Sequence, residues 1–176
     1  MKILAISGAL RKASWNTVLL HEAVRLLGDC DVEFADLRMP LYDGDLEDEI
    51  GLPDEVKTLI GQISRADAVI FSTPEYNKMI PGVLKNALDW ISRDKPYSLI
   101  GKPVAILSAA SGRTGGETSA FTLRHALVSF NCNLLQGGAF SVPAPAKAFD
   151  ENGHLISEVQ QKTLTKLMSR LRATRA

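Results

Sequence analysis

A chain of 176 residues suits one compact domain with a single core, spanning residues 1–176. Its 45% hydrophobic and 23% charged residues are the balance of an ordinary globular protein rather than of a disordered or fibrous one. Twenty basic residues offset twenty acidic ones, so the broad positive field of a nucleic-acid binder is absent and no nucleic-acid partner is expected.

The first strand is expected at Ile3–Ser7. The apolar run from Met1 to Ile6 is too short for a signal-peptide core or a membrane span, so a cytoplasmic protein with no membrane partner is expected. Further short apolar runs lie at Val32–Ala35, Ala68–Ser72, Val104–Ser108 and within Cys132–Val142, with helical patterns between them. That alternation predicts an α/β fold: a doubly wound three-layer sandwich around a five-stranded parallel sheet. Three of the runs are continuously apolar, as strands buried on both faces are, whereas Val32-Glu33-Phe34-Ala35 alternates and belongs nearer an edge.

Apolar stripes mark the helices. Val18, Leu19, Ala23, Val24 and Leu27 line the first, and Val83, Leu84, Ala87, Leu88 and Ile91 line another with Pro81 at its first turn. Leu164, Leu167, Met168 and Leu171 line the last, whose basic end, Arg170–Arg175, reads as a solvated helix terminus. The polar stretch Tyr42–Pro53 reads as a loop over one edge. Cys30 and Cys132 form no close pair, and His21, His125 and His154 lack metal-ligand spacing, so no metal is expected.

In doubly wound sheets ligands bind beyond the carboxyl ends of the strands, at the switch in strand order. The loops after Ser7, Ser72 and Ser108 therefore carry the functional reading. In the first, Ser7-Gly8-Ala9-Leu10-Arg11-Lys12-Ala13-Ser14-Trp15-Asn16-Thr17 feeds a helix N-terminus, whose free N–H groups and dipole favour an anion. Gly8 permits a sharp turn, Ser14, Asn16 and Thr17 offer side-chain donors, and Arg11 can fork onto a phosphate. By itself this segment also reads as a plain cap, with Ser14 or Asn16 closing the helix. Neither G-x-G-x-x-G nor G-x-x-x-x-G-K-[ST] is present, which argues against a Rossmann pyrophosphate site and a P-loop. The loop has no cysteine nucleophile and no phospho-acceptor carboxylates.

The second loop, Thr73-Pro74-Glu75-Tyr76-Asn77-Lys78-Met79-Ile80-Pro81-Gly82, is stiffened by two prolines and carries an aromatic face. With its helix Val83-Leu84-Lys85-Asn86-Ala87-Leu88-Asp89-Trp90, and with Gly8-Ala9-Leu10-Arg11 and Ser14-Trp15-Asn16, it closely resembles the NADPH-dependent FMN reductase family, which includes chromate and quinone reductases and azoreductase-like relatives. The resemblance runs from Ile3 to about Leu135 and is most specific between Pro74 and Trp90. It implies a flavodoxin-like sheet of order 2-1-3-4-5. It also implies FMN as cofactor, with NADPH or NADH as electron donor and a small-molecule electron acceptor such as a quinone, azo compound, chromate or free flavin. Ala9, Leu10, Arg11, Ser14, Trp15 and Asn16 would then surround the FMN phosphate. Pro74, Glu75, Tyr76 and Asn77 would border the ribityl chain and ring, and Ala110, Ser111 and Gly112 would add contacts from the third loop. For Glu75 a structural role is favoured.

The family usually has serine where this chain has Ala9. The missing hydroxyl implies FMN weaker by roughly 1.5–3 kcal/mol, about ten- to a hundred-fold. The hard chemistry belongs to the cofactor, so no catalytic side chain is named. The resemblance also implies a homodimer or homotetramer, with Phe121 and Arg124 as candidates for the contact surface. Two other readings stay open: a flavodoxin-like electron carrier, against which zero net charge argues, and a flavin-free binding protein.

Overall fold

Side chains alternate across the first strand, and that alternation sets the layers. The computed structural model describes residues 1–174. In β1 (Lys2–Ser7), Ile3 and Ala5 enter one apolar core while Leu4 and Ile6 enter another on the opposite face. The first core lies under α1 (Trp15–Leu27) and α6 (Glu158–Ala173). The second lies under α3 (Asp54–Arg65), α4 (Gly82–Ile91) and α5 (Glu117–Leu127). All six residues of β3 (Ala68–Thr73) are buried, the two-sided burial that its unbroken apolar run predicts.

The strands β2 (Asp31–Phe34), β1, β3, β4 (Pro103–Ala110) and β5 (Asn133–Leu134) stand in the order 2-1-3-4-5, all parallel. This is the expected fold, with β2 at the edge. The order reverses between β1 and β3, so the loops after β1, β3 and β4 rise together at one end of the sheet.

Three details differ from expectation. The fifth strand is broken: Asn133–Leu134 pairs with Pro103–Val104, and after a gap β6 (Phe140–Pro143) pairs with Leu107–Ala110. Gly137 and Gly138, both at positive φ, carry the chain across the gap. Within the expected loop Tyr42–Pro53 lies a helix, α2 (Gly44–Ile50), capped by Asp43 and ended by Gly51. It has no buried residue, which is why no apolar stripe announces it. Finally, the basic helix end is not simply solvated. Arg172 donates to the carbonyls of Leu27 and Asp29, and Arg170 to that of Gln136, while Arg175 lies outside the described residues.

The helix α4 owes its polar motif residues to the segment before α2. Asn86 accepts from the Tyr42 N–H at 2.8 Å and donates to the Pro40 carbonyl at 2.9 Å, where Trp90 Nε1 also donates at 2.8 Å. Asn86 and Trp90 thus strap the long β2–α3 connection onto α4.

Candidate functional site

The first loop turns under Gly8, whose N–H donates to the Ser72 carbonyl at 2.8 Å. A Cβ at Gly8 would stand 3.2 Å from Leu84 and 3.3 Å from Pro74, so a bare backbone lets loops one and two touch. Ser14 then caps α1, its hydroxyl oxygen accepting from the Asn16 N–H at 3.2 Å. Between them, Leu10 and Arg11 are exposed, and among the described residues the N–H groups of Leu10, Arg11 and Trp15 donate to no protein acceptor. Free N–H groups beside a helix N-terminus and a guanidinium suit a phosphate dianion.

The expected side-chain donors behave differently from one another. Thr17 is paired with the Ser7 hydroxyl at 3.0 Å. Asn16 is buried, and its side chain turns inward. Its Oδ1 accepts from the Ser72 hydroxyl at 2.9 Å and the Ala109 N–H at 3.0 Å, and its Nδ2 donates to the Ala109 carbonyl at 2.9 Å. The carboxamide pairs with Ala109 as a neighbouring strand would, joining α1 to the ends of β3 and β4. Asn16 therefore ties the three loops together from behind. Trp15 stacks on Phe149, with ring centroids 5.8 Å apart and planes 6° from parallel, and stays partly exposed.

The second loop is a tight reversal. Tyr76 and Met79 exchange backbone hydrogen bonds at 3.0 and 3.1 Å across Asn77 and Lys78, both at positive φ. The reversal lifts the Tyr76 ring into solvent, 54% exposed. Its base is bolted to α5: Ser119 Oγ donates to the Pro74 carbonyl at 2.8 Å and contacts Thr73 Oγ1 at 3.0 Å. Ser119 was not legible as part of the site, because nothing in its own surroundings marks it. Glu75 accepts from Lys78 Nζ at 3.0 Å and from the Ser119 N–H at 3.3 Å, so its carboxylate serves the turn and the α5 terminus.

Those partners, Lys78 first and then the N–H groups of Ser119 and Thr118, hold the Glu75 carboxyl below its ordinary range despite its partial burial. The folded-state value is thus depressed, and its stabilisation is present at neutral pH and lost as pH falls through the carboxylate range. Glu75→Gln is expected to lower stability by about 1 kcal/mol at pH 7. In denaturant titrations the gap to the parent protein should close below about pH 4. A gap that persists in acid would show that the carboxylate does not act this way.

The third loop leaves β4 at Ala110, with Ser111 and Gly112 exposed beside loops one and two. Gly115 (φ +65) and Gly116 (φ +91) then fold it back. Ser108 Oγ donates to the Gly115 carbonyl at 2.9 Å, and the Gly115 N–H donates to the Gly112 carbonyl at 3.0 Å. The N–H groups of Ser111 and Gly112, like those of Glu75 and Asn77, have no protein acceptor among the described residues. Three loops at one sheet end thus carry free donors around a cationic helix start, and these residues fit a flavin mononucleotide.

The sequence profile of NADPH-dependent FMN reductases matches residues 1–147 of this chain. An NAD(P)H-dependent FMN reductase of Pseudomonas aeruginosa is 38% identical over 173 residues, 97% of this chain and 93% of that protein. The chain belongs to the NADPH-dependent FMN reductase family. A quinone reductase of Escherichia coli is 37% identical over 145 residues, covering 80% of this chain and 76% of its own. Among solved structures, the flavoenzyme NAD(P)H:(acceptor) oxidoreductase FerB of Paracoccus denitrificans superposes with a TM-score of 0.87 at 28% identity, over 97% of this chain and 94% of that one.

Within this family member the two cysteines stay apart. Burial pushes both thiols up, and Cys132 Sγ lies 3.6 Å from the Leu127 carbonyl. Among the described residues no cluster of three metal-ligating side chains occurs, and no helix is long and apolar enough to cross a membrane. Arg124 donates to the Leu135 carbonyl at 2.9 Å, and Phe121 on the same helix is 58% exposed.

Proposed function

We propose that this chain is one flavodoxin-like domain that binds FMN across its three loops and acts as an NAD(P)H-dependent oxidoreductase. The observation that carries the reading is the free N–H groups of Leu10, Arg11 and Trp15 beside Arg11 and the α1 terminus, in a chain of this family. Bound there, FMN supplies the redox chemistry, taking hydride from reduced nicotinamide and giving electrons to a second substrate.

The protein's share is binding and orientation. Backbone donors of the first loop and Arg11 hold the phosphate. Ala9, Leu10, Ser14, Trp15 and Asn16 shape the cradle, with Asn16 acting through its grip on β3 and β4. Pro74, Glu75, Tyr76 and Asn77 border one side of the ring, and Ala110, Ser111 and Gly112 the other. Free N–H groups at Glu75, Asn77, Ser111 and Gly112 offer donors where negative charge grows on reduction. The names of the quinone reductase relatives favour a quinone as the acceptor. Dependence on reduced nicotinamide favours a cytoplasmic protein, and exposed Phe121 favours a homodimer or homotetramer.

The test is a visible spectrum of purified protein loaded with FMN and freed of excess, before and after anaerobic NADPH. A bound flavin spectrum that bleaches supports the reading. Bound flavin that stays oxidised with both NADPH and NADH favours the carrier, and no binding at all overturns the reading.

Ala9 offers a second check. Among the described residues its N–H meets only the Ser7 hydroxyl, at 3.4 Å, and its side chain donates nothing. Ala9→Ser is expected to tighten FMN about tenfold, measured by quenching of flavin fluorescence. Unchanged or weaker binding would place the phosphate away from residue 9.

A further inference from the structure

Glu22 has no part in the flavin contacts, yet its carboxylate is fully buried on α1. Burying a charge is costly unless donors surround it, and three do. Arg25 grips it through Nε at 2.6 Å and Nη2 at 2.9 Å, and the Leu155 N–H donates to it at 3.2 Å. Stability alone does not call for this arrangement, since apolar side chains of similar bulk often serve a core as well as an ion pair does. What the carboxylate adds is direction. It holds an N–H from 133 positions further along the chain at one point of the helix.

Leu155 belongs to a short reversal, residues 148–156, past residue 147 where the family profile ends. Phe149 and Leu155 face each other across an antiparallel bridge, and the Ile156 N–H donates to the Ala148 carbonyl at 2.9 Å. Asp150 closes the tip by accepting from the N–H groups of Asn152 at 2.9 Å and His154 at 2.8 Å. Residues 15, 18 and 22 share one face of α1 over two turns, and the reversal meets all three. Phe149 stacks on Trp15, a Cβ at Gly153 would stand 3.2 Å from Val18 Cγ1, and Leu155 meets Glu22. Fixing Leu155 therefore fixes Phe149 across the bridge, and Phe149 lies flat against the indole of Trp15, the first residue of α1.

We propose, on the flavin reading above, that Glu22 is a positioning residue for FMN: through Leu155 and Phe149 it sets Trp15 and the start of α1 at the phosphate end of the flavin. Trp15 carries one of the free N–H groups there. The stack keeps the indole from turning and steadies the first turn of α1, whose donors must converge on one point to grip a phosphate. An apolar residue at position 22 leaves the reversal packed on α1 but takes away the bond that fixes its register.

The test measures Kd for FMN and for riboflavin, which has the ring and ribityl chain but no phosphate, by quenching of flavin fluorescence. It compares the parent with Glu22→Gln, Glu22→Leu, Phe149→Leu and the E22L/F149L double variant, with thermal unfolding of each. E22L and F149L should each weaken FMN about tenfold while riboflavin stays within about twofold, because the chain of contacts ends at the phosphate. The double variant should be no more than about twofold weaker than the weaker single one, since both break the same chain. E22Q, which keeps an acceptor for the Leu155 N–H, should stay within about threefold of the parent. If E22L does not fold, F149L carries the comparison. FMN and riboflavin weakened alike, losses that multiply in the double variant, or an E22Q as weak as E22L would each overturn the proposal. Failure of the flavin reading looks different: the parent itself then binds neither flavin, and the proposal falls with it.

Discussion

Asn16→Leu is expected to lower stability by about 3 kcal/mol and to weaken FMN by about tenfold or more. The side chain it removes is buried and holds three groups: the Ser72 hydroxyl, the Ala109 N–H and the Ala109 carbonyl. Leucine has similar bulk and fills the space, so the loss is not chiefly a cavity. It is the cost of stranding buried polar groups, roughly 1–3 kcal/mol each. The hydroxyl of Ser72 can rotate toward another acceptor, whereas the peptide of Ala109 cannot turn, and that peptide decides the magnitude. Asn16→Asp probes the same contact more finely. It keeps the acceptor for Ser72 and the Ala109 N–H, yet sets a carboxylate oxygen against the Ala109 carbonyl and buries a charge. Urea unfolding with and without FMN, together with fluorescence titration of FMN, separates the two effects. A leucine variant within about 0.5 kcal/mol of the parent would mean that the strand ends hold themselves without Asn16.

This residue also marks where sequence reading stops. The loop proposed as the cradle was legible as a strand–loop–helix turn because its signals are local: an apolar strand, a glycine, a capping serine and a helix stripe within some twenty residues. The same local signals placed β1, β3 and β4; β1 and β3 end in the polar residues Ser7 and Ser72-Thr73, whereas β4 runs two residues past Ser108 to Ala110. Asn16 looked like a ligand donor because short polar side chains at a helix start usually face outward. Its actual partners lie 56 and 93 positions away, a relation that no local pattern carries. The break in the fifth strand was hidden for a related reason. Asn133–Leu134 is held in register only by pairing with Pro103–Val104, and an apolar run cannot show where its neighbour lets go. The helix α2 escaped because it buries nothing. Its carboxylate Glu47 is fixed by Arg93, which also lies over the Tyr42 ring at 5.8 Å. Helix α2 is thus held by polar contacts, without an amphipathic face.

Gly115→Ala carries the other large expected effect, again about 3 kcal/mol of lost stability, by a different mechanism. A Cβ built on Gly115 would stand 2.6 Å from Pro143 N and 2.6 Å from Val142 C, both backbone atoms of β6. No side chain can swing aside to admit it, so either the strand or the loop has to move. The φ of +65° adds strain for any residue with a Cβ. The damage falls where β4, β6 and the third loop meet, since Ser108 holds both the Gly115 carbonyl and the Ser141 hydroxyl. FMN binding should therefore weaken together with stability, and saturating FMN should recover part of the lost midpoint. Gly112→Ala separates folding from contact. A Cβ there meets nothing within 4 Å, so its stability should stay within about 0.5 kcal/mol of the parent. If Gly112 borders the flavin, its alanine variant loses FMN affinity while folding normally, a pattern Gly115→Ala cannot produce. Thermal unfolding of the two apoproteins, followed by FMN titration of each, gives the comparison. Equal stability of the two variants would mean that the third loop can shift away from β6 at little cost, and that close backbone packing does not demand glycine at position 115.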